Sequence, residues 1–322
     1  MADNSIEISS KGKWVTVPAA RVHGASIIVR GKWLKMATVH DEAWLDAELA
    51  DPEACVKELK EGGHDRLRAD IFTFAQRLPA APPKYKYAFE WDNVAAVPIT
   101  TFDHWWTKQI DAKTRNMVRK GEKKGLEVRE VPFDDALVQG ISAIYNGCPV
   151  RQGKPFWHYG KDLETVRREN ESFLDRSVLL AAFLEGNLIG FAKLVADKNQ
   201  VQAGLMQVIS MIQHRDKAPT NALIAQAVRS CADRGIPHLL YANFGYGKKQ
   251  RDSLSDFKER NGFQKVDVPR YYVPLTHLGR AAFHLGLHHR FVDRLPRSVV
   301  ERIREVRAAW YERKFQTAKE SA

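Results

Sequence analysis

The sequence predicts a mixed fold of the α/β (α+β) type, and residues 201–263 carry most of that prediction. VQAGLMQVISMIQ is apolar at both odd and even positions, and apolar residues then recur at helical spacing from Thr220 to Arg234. HLLYANFGYG has a strand pattern and DSLSDFKERNGF a helix pattern. A strand that is apolar on both faces is covered on both faces, so we place the first strand in the middle of a sheet.

Composition limits the class of protein. The 322 residues are 44% apolar and carry a formal net charge of +11, which is typical of a globular chain with one large domain or two. The longest apolar run, residues 178–184, is too short to cross a bilayer, and the polar N-terminus lacks the apolar core of an export signal. The three scattered cysteines indicate reduced thiols. We therefore expect a cytoplasmic protein.

The positive charge favours a polyanionic partner, which is a nucleotide phosphate, a tRNA or an anionic membrane surface. A basic composition can also serve solubility alone. A basic helix is predicted over residues 111–124, and its cations are candidates for a phosphate or nucleic-acid contact because a rigid helix can neutralise several phosphates together. A solvated surface would give the same pattern. The residues assigned to this face are Arg115, Arg119, Lys120 and Lys123.

Three prolines within residues 79–83 mark the clearest internal boundary. Before it, residues 13–39 have short strand patterns, and helices are predicted over 42–61 and 64–77. We expect a smaller N-terminal β/α subdomain over residues 1–83, a central core over 84–276 and a basic helical C-terminal extension over 277–322. The apolar stripes of the extension either pack on the protein itself or lie on the inner face of an anionic membrane.

A loop rich in Gly and Pro follows the helix predicted over residues 134–145, and it also carries cationic and aromatic side chains. Binding groups are commonly presented by loops on a rigid scaffold, so this region is a candidate contact for an acceptor substrate. A loop that is merely well packed is the alternative. The residues assigned to the acceptor contact are Tyr145, Arg151, Gln152 and Trp157.

Taken in order, these elements resemble the core of the acyl-CoA N-acyltransferase (GNAT) superfamily. Arg215-Asp216-Lys217-Ala218-Pro219-Thr220 stands where the family has its phosphate loop, Gln/Arg-x-x-Gly-x-Gly/Ala, and the run from Phe257 to Phe263 resembles the family's Glu-Lys/Arg-x-Gly-Phe ending. The basic helix, the opening Pro219 to Leu223 and the Phe257-Lys258 ending are most similar to the FemAB-like branch, which transfers aminoacyl or acyl units to cell-wall and polysaccharide precursors. The resemblance spans roughly residues 101–275 and implies a mixed central sheet flanked by helices.

The resemblance implies an N-acyltransferase that acts on an amine of a cell-envelope, glycan or peptide precursor. Acyl-CoA or aminoacyl-tRNA would be its donor substrate, with no tightly bound cofactor. Backbone N–H groups at Val208, Ile209 and Ser210 would form the oxyanion site. The residues that would bind the donor are Gln213, Arg215, Lys217, Ala218, Thr220 and Asn221.

The donor loop departs from the family pattern, because Ala218 and Thr220 replace small residues and Pro219 has no N–H to offer a phosphate. This departure favours a donor other than CoA. Two alternatives stay open: an acetyl-CoA-dependent N-acetyltransferase, and a non-catalytic RNA- or membrane-binding protein on a degenerate fold.

The acid and base of the reaction have several candidates. Phe257 stands where many acyl-CoA members have a tyrosine, and phenylalanine cannot donate a proton. Tyr271 is a candidate acid, Lys258 is a candidate through the Phe-Lys ending, and His158 is a candidate base; each is also explained by an ordinary structural role. His284, His288 and His289 have no Cys, Asp or Glu at regular spacing, so no metal site is expected.

Overall fold

The structure is a computed structural model, and it describes residues 5–10, 13–44, 48–61, 67–79, 82–151, 154–245 and 253–289. Within these ranges the strands are β1 (Ser5–Ser10), β2 (Lys13–Val22), β3 (Ala25–Arg30), β4 (Met36–Val39), β5 (Ile71–Ala75), β6 (Ala88–Pro98), β7 (Leu126–Glu130), β8 (Val150–Arg151), β9 (Lys154–Pro155), β10 (Ser177–Leu184), β11 (Asn187–Ala196), β12 (Ala203–Ser210), β13 (His238–Leu240) and β14 (Gln264–Pro274). The α-helices are α1 (Pro52–Glu61), α2 (Phe102–His104), α3 (Ala112–Lys123), α4 (Asp135–Asn146), α5 (Leu163–Asn170), α6 (Pro219–Asp233), α7 (Ser253–Arg260) and α8 (His277–His284). A π-helix spans Trp105–Gln109, and 3-10 turns span Glu42–Trp44, Leu174–Arg176 and Ile212–Lys217.

The chain divides into two compact units. The first comprises residues 1–100, 196–204 and 234–290, and the second comprises residues 101–195, 205–233 and 291–322. β6 and β14, which the sequence prediction assigned to the central core, belong to the first unit. The predicted boundaries at residues 83 and 276 stay a prediction.

The first unit is a mixed sheet in the order β1-β2-β3-β4-β5-β14-β6-β13, and the start of β12 pairs in parallel with β13. Alternate residues of β5 enter two different clusters. Phe72 and Phe74 pack with Cys55 and Val56 of α1, whereas Ile71 packs with Ala282 of α8. Side chains alternate between faces along a strand, so β5 is apolar on both faces because a helix covers each.

The second unit has the strand order β12-β11-β10-β7. On one face, Phe191 of β11 packs with α4 residues that include Ile141 and Ile144. On the other face, a Cβ added at Gly190 would lie 3.2 Å from Leu223 of α6. The sheet of this unit is therefore flanked by helices on both faces, which confirms the mixed fold that the sequence predicts.

One predicted helix is wrong, and a second is shorter than predicted. The one over residues 64–77 is in fact strand β5, because Ile71, Phe72, Thr73 and Phe74 form a β-branched and aromatic run that suits a covered strand. The one over residues 42–61 is a 3-10 turn followed by the shorter α1, which begins at Pro52. Proline fits the first turn of a helix and cannot continue one, so it sets the start of α1.

Several predicted elements have the expected type and slightly different bounds. The strand over residues 201–213 is β12, with a 3-10 turn after it; the helix over 220–234 is α6; the basic helix is α3. No helix among the described residues is long and apolar enough to cross a membrane. The predicted stripe of apolar residues beyond position 289 lies outside the described residues.

Helix α3 packs directly on the turn that follows β12. A Cβ added at Gly121 would lie 2.2 Å from the carbonyl oxygen of Lys217 and 3.2 Å from Leu126 Cδ2. Real Cβ atoms do not approach a carbonyl oxygen so closely, so glycine is what allows α3 to contact this turn. Lys124, which caps α3, also lies 3.5 Å from the carboxylate of Asp216.

Lys193 of β11 is a buried cation whose partners are backbone carbonyls. It is 1% exposed, and its Nζ donates hydrogen bonds to the carbonyl oxygens of Asn170, at 2.6 Å, and Ser172. These carbonyls belong to the last residue of α5 and to the segment just after it, where backbone acceptors lack helical partners. Burial lowers the pKa of Lys193 to about 8, because it penalises the charged form, and the carboxylate of Glu171 offsets only part of this effect.

We predict that Lys193 makes the stability of the protein rise with pH above about 8. Its folded-state pKa is about 8, against an ordinary 10.5, so between these values the unfolded chain binds the proton that the folded chain has lost. The free energy of unfolding of the wild type, relative to Lys193→Met, should increase by about 1–3 kcal/mol across this window. Urea unfolding at several pH values measures it. Lys120→Met, at an exposed position, should give no such dependence on pH. If the difference between the wild type and Lys193→Met does not change with pH, the lowered pKa of Lys193 is contradicted.

Gly121→Ala should lower the free energy of unfolding by about 1–3 kcal/mol, because the added methyl group forces α3 away from the carbonyl of Lys217. In an unobstructed helix the same change would be stabilising. Gly147→Ala is the matched control, since its Cβ would meet nothing closer than 3.4 Å. Thermal unfolding of both variants checks the prediction. Equal stability of the two variants would mean that the contact of α3 with the turn is not tight.

Candidate functional site

The carboxyl end of β12 leads through a short turn into the start of α6, all within the second unit. A 3-10 turn spans Ile212–Lys217, and Ala218 adopts a left-handed conformation, with φ 51°, before Pro219 begins the helix. Proline is favoured at this first helical position because its missing N–H has no helical partner there. The left-handed conformation costs a residue with a Cβ about 1 kcal/mol. The turn therefore has the predicted strand-loop-helix order without the glycines of the family pattern.

The turn presents cations beside the N-terminus of a 15-residue helix. Arg215 is exposed and Lys217 half-buried, while the Nζ of Lys217 lies 3.2 Å from a carboxylate oxygen of Asp216. The hydrogen bond from Lys217 is the main cause that holds the pKa of Asp216 below its ordinary value. A helix N-terminus with nearby cations suits an anion, and here Asp216 offsets part of the positive charge.

Other residues assigned to donor binding differ in exposure. Gln213 is exposed, and Asn221 is buried at 9% exposure. The hydroxyls of Ser210 and Thr220 form a hydrogen bond of 2.7 Å, which joins the last residue of β12 to the first turn of α6. The strand end and the helix start are thus held together by side chains as well as by the chain itself.

Residues of the predicted basic face divide into two pairs. Arg115 donates a hydrogen bond of 2.6 Å to the carbonyl of Trp106, and the guanidinium of Arg119 lies 5.6 Å from the Trp106 ring centroid. Lys120 and Lys123 are exposed on the same helix. Both arginines therefore contact Trp106 of the π-helix, and Arg119, Lys120 and Lys123 are the exposed cations of this face.

A group of ionisable side chains surrounds His158. Its Nδ1 lies 3.1 Å from Oε2 of Glu169, and the other carboxylate oxygen, Oε1, accepts a hydrogen bond from Lys161. The imidazole packs on Tyr145, with ring centroids 4.4 Å apart, and on Phe156 at 5.2 Å. Burial alone raises the pKa of Glu169, but the hydrogen bonds from His158 and Lys161 outweigh it and hold that pKa below its ordinary value. Glu169 is therefore an ionised acceptor for the imidazole.

Arg151 links this group to the end of β12. Its guanidinium donates hydrogen bonds to the carbonyls of Ser210, at 3.0 Å, and Ile144, at 3.3 Å, and it lies 4.5 Å from the ring centroid of Phe156. Burial lowers the pKa of Arg151 below its ordinary value, and the carbonyl contacts compensate the charge in part. The guanidinium thus holds the loop after α4 against the strand end.

Tyr145 makes a second link to β12. It is fully buried, and its hydroxyl accepts a hydrogen bond of 2.7 Å from Gln207 Nε2. Burial raises the pKa of Tyr145 to about 12, so the phenol stays protonated. Trp157, next to His158, is 61% exposed. Three residues predicted near the acceptor, Tyr145, Arg151 and Trp157, are therefore brought together with His158, and Gln152 lies outside the described residues.

The other two residues predicted as catalytic lie in the first unit. Lys258 is fully buried, and its Nζ donates to the carbonyl of Asn243 and lies 4.6 Å from the ring centroid of Tyr241. Tyr271 is fully buried as well, and its hydroxyl donates to Gln76 at 2.9 Å. Both side chains are enclosed and engaged with protein groups.

Sequence reasoning missed Glu169, Lys161 and Gln207. Glu169 lies 11 residues beyond His158, in a different element, so no local spacing joins them. Gln207 stands in an apolar strand, and a polar residue in such a strand is a signal that could have drawn attention to it.

No protein-family model matches the chain, and no curated protein matches it. Several solved structures, in contrast, are similar to it. The C-terminal domain of a proposed lysylphosphatidylglycerol synthetase from Agrobacterium fabrum is 16% identical, with a TM-score of 0.53 over 84% of this chain and 87% of that one. FemX is 10% identical, with a TM-score of 0.51 over 87% of this chain and 89% of that one. L-PGS from Bacillus licheniformis is 13% identical, with a TM-score of 0.52 over 84% and 87%.

These similarities extend over most of each chain at low identity, so they establish the fold. They agree with the resemblance on which the sequence interpretation depends. The chain therefore has a GNAT-like fold, in the form that FemX and the lysylphosphatidylglycerol synthetase domain share.

Proposed function

We propose that the protein is an N-acyltransferase that moves an acyl or aminoacyl group to an amine of a cell-envelope, glycan or peptide precursor. One observation carries the proposal: the His158–Glu169 pair is linked, through Arg151 and Tyr145, to the strand end that leads into α6. The pair supplies a base, and the turn with the helix start supplies an anion site. FemX and the lysylphosphatidylglycerol synthetase domain share the fold, which supports a transferase class.

His158 is the general base in this proposal. An amine attacks an acyl carbonyl only as the free base, so a proton acceptor must lie near it. Glu169 engages Nδ1 of the imidazole, and an ionised carboxylate there favours the tautomer whose Nε2 accepts a proton. The amine nitrogen then forms a bond to the acyl carbon while its proton passes to His158. The bond from the acyl carbon to the donor oxygen or sulfur breaks, and the protonated imidazole returns that proton to the leaving oxygen or sulfur.

The donor would bind at the turn before α6. Arg215 and Lys217 supply positive charge there, and the exposed lysines of α3 extend it, since α3 contacts this turn at Gly121. Ala218 and Thr220 stand where the family has the small residues that admit a CoA pyrophosphate, and Pro219 between them has no N–H to donate. We therefore favour aminoacyl-tRNA as the donor and keep acyl-CoA as the alternative. Backbone N–H groups of Val208, Ile209 and Ser210 stay the proposed oxyanion donors.

The remaining candidates receive supporting roles. Trp157 is exposed beside His158 and would contact the acceptor. We infer that Lys258 and Tyr271 stabilise the first unit, because both are fully buried with protein partners. The pairing of His158 with the carboxylate of Glu169 is of the kind that a general base needs.

The rival class is a non-catalytic protein that binds RNA or a membrane surface. Its supporting observation is the pair of exposed lysines on α3. Such a protein would need those lysines but would have no use for the His158–Glu169 pair. Replacing each pair separately therefore distinguishes the two classes.

His158→Gln should lower the rate of acyl transfer by about 10²–10⁴-fold, the range that a positioned base contributes. The assay incubates the full-length protein with acetyl-CoA, longer acyl-CoAs or a charged tRNA mixture, together with amine acceptors, and measures amide product. Glu169→Gln should lower the rate by a smaller factor because it leaves the imidazole in place. His104→Gln, at an exposed position of the same unit, is the control. Full activity of His158→Gln would refute the assigned base, and no transfer from any donor would favour the binding protein.

Replacing both Lys120 and Lys123 by Ala should weaken binding of tRNA and lower its salt slope, d log K/d log[salt], by about 2, since each phosphate contact contributes about 1. Lys57→Ala with Lys60→Ala is the matched control, because these lysines are also exposed on a helix and three residues apart. Fluorescence anisotropy with tRNA over a range of salt concentrations measures the slope. If both double variants lose tRNA affinity equally, the net charge of the protein alone explains the binding. Tight, salt-resistant binding of acetyl-CoA instead would favour the CoA-dependent alternative.

A further inference from the structure

Two histidines and a glutamate that are far apart in sequence meet in the first unit. Glu90 belongs to β6, and His288 and His289 follow α8. Their separation along the chain is 198 residues for Glu90 and His288. The Nε2 atoms of His288 and His289 lie 3.0 and 3.1 Å from the same carboxylate oxygen of Glu90. The three ligand atoms all lie within 4.8 Å of one another, so one carboxylate oxygen and two imidazole nitrogens converge on a single point.

The backbone that carries the histidines is fixed by the end of α8. Gly286 has φ 65°, its N–H donates to the carbonyl of Phe283 at 2.9 Å, and the N–H of Leu287 donates to the carbonyl of Ala282 at 2.7 Å. This pair of hydrogen bonds with a left-handed glycine is a Schellman motif. Because the motif sets the direction in which the chain leaves the helix, it also sets where His288 and His289 lie.

His288 is held by packing as well. Its side chain is 3% exposed, and its ring lies 4.8 Å from that of Phe283 and 4.7 Å from that of Tyr272. His289 stacks beside it with ring centroids 4.0 Å apart and is 40% exposed. One imidazole is therefore fixed in an apolar setting, and the second lies at the surface, where an ion can enter from solvent.

The charges around Glu90 favour a cation. The neighbouring guanidinium of Arg270, which faces Glu90 across the β6–β14 ladder, forms ion pairs with Glu42 at 2.9 Å and Asp92 at 3.1 Å. Three carboxylates thus accompany one guanidinium at this place. With Arg270 engaged by two of them, the charge of Glu90 is directed at the imidazoles.

We propose that Glu90, His288 and His289 form a binding site for a divalent transition metal of the zinc class. Two ligand atoms of a tetrahedral zinc ion, at about 2.0–2.1 Å from the metal, lie about 3.3 Å apart. The two nitrogen–oxygen distances, 3.0 and 3.1 Å, are close to this value, and the two imidazole nitrogens lie within 4.8 Å of each other. Imidazole nitrogen suits zinc and its neighbours, whereas magnesium and calcium prefer sites made of oxygen. The fourth position would hold water. The bound ion would fasten the segment after α8 to β6.

The sequence interpretation expected no metal site because no Cys, Asp or Glu stands at a regular spacing from the histidines in the chain. The competing explanation is that the imidazoles only share hydrogen bonds and charge with Glu90. In that explanation only protons lie between the imidazoles and Glu90, and no metal ion is bound. A direct measurement of metal binding therefore distinguishes the metal site from the hydrogen-bonded cluster.

The test is a calorimetric titration of chelator-stripped, full-length protein with Zn²⁺, and of the same protein with Co²⁺ followed by visible absorption. We expect one tight zinc equivalent and the intense cobalt spectrum of a four-coordinate site. Glu90→Gln and His289→Ala, both at partly exposed positions, should each weaken binding at least tenfold and lose that spectrum. His284→Ala, an exposed histidine of the same segment, should change neither.

Three results would overturn the proposal. One is that the wild type binds Zn²⁺ no more tightly than His289→Ala does. That result would mean that the imidazoles only share hydrogen bonds and charge with Glu90. The second is a weak, six-coordinate cobalt spectrum, which would indicate loose surface binding. The third is that His284→Ala loses as much zinc affinity as Glu90→Gln and His289→Ala do. That result would mean that the ion binds surface histidines without preference for this site. Circular dichroism of each variant verifies that it is folded.

Discussion

Arg151 makes the contact on which the arrangement of the second unit's site depends. One guanidinium donates to two backbone carbonyls, one at the end of α4 and one at the last residue of β12. Carbonyls at the ends of helices and strands lack regular partners, so a partly buried cation that satisfies two of them joins the elements that carry them. Because His158 follows Arg151 on the same loop, its position relative to the strand end is set by this cation. A neutral residue of similar size would leave both carbonyls without this donor.

The elements that the sequence predicts well are those whose pattern is local. Helix α6 has an apolar repeat and a glycine stop, α3 has an aspartate that caps it, and β10 and β11 are joined by a short Gly turn. β5 was misread because its buried residues satisfy both helical and strand spacing over such a short run. Only the helices that cover its two faces decide in favour of the strand. Short apolar runs are ambiguous for this reason.

Residues of the candidate site were predicted as single positions, whereas their chemistry comes from pairs. Arg151 and His158 stand out by composition in the loop that follows Tyr145, but Glu169 on α5 is an ordinary helix residue until the fold brings it to His158. Glu90, His288 and His289 likewise meet only in the folded protein, because 198 residues separate Glu90 from His288. Spacing arguments detect ligands on one helix or turn, and long-range pairs have no signature of that kind. The buried Lys258 gives the converse case, in which a motif pointed to a residue that the structure surrounds with protein.

The turn before α6 limits what kind of anion the second unit can hold. Ala218 takes a left-handed conformation with its methyl group buried, Pro219 contributes no N–H, and the hydroxyl of Thr220 is engaged by Ser210. A pyrophosphate needs several free backbone donors within a small space, and this turn has lost the flexible glycines that would offer them. Its cations are carried instead on long side chains, Arg215 and Lys217, with further lysines on α3. Charge spread over long side chains suits phosphates that are spaced along a backbone better than a compact pair, and this is the physical reason why the function proposed above uses a nucleic-acid-linked donor in preference to CoA.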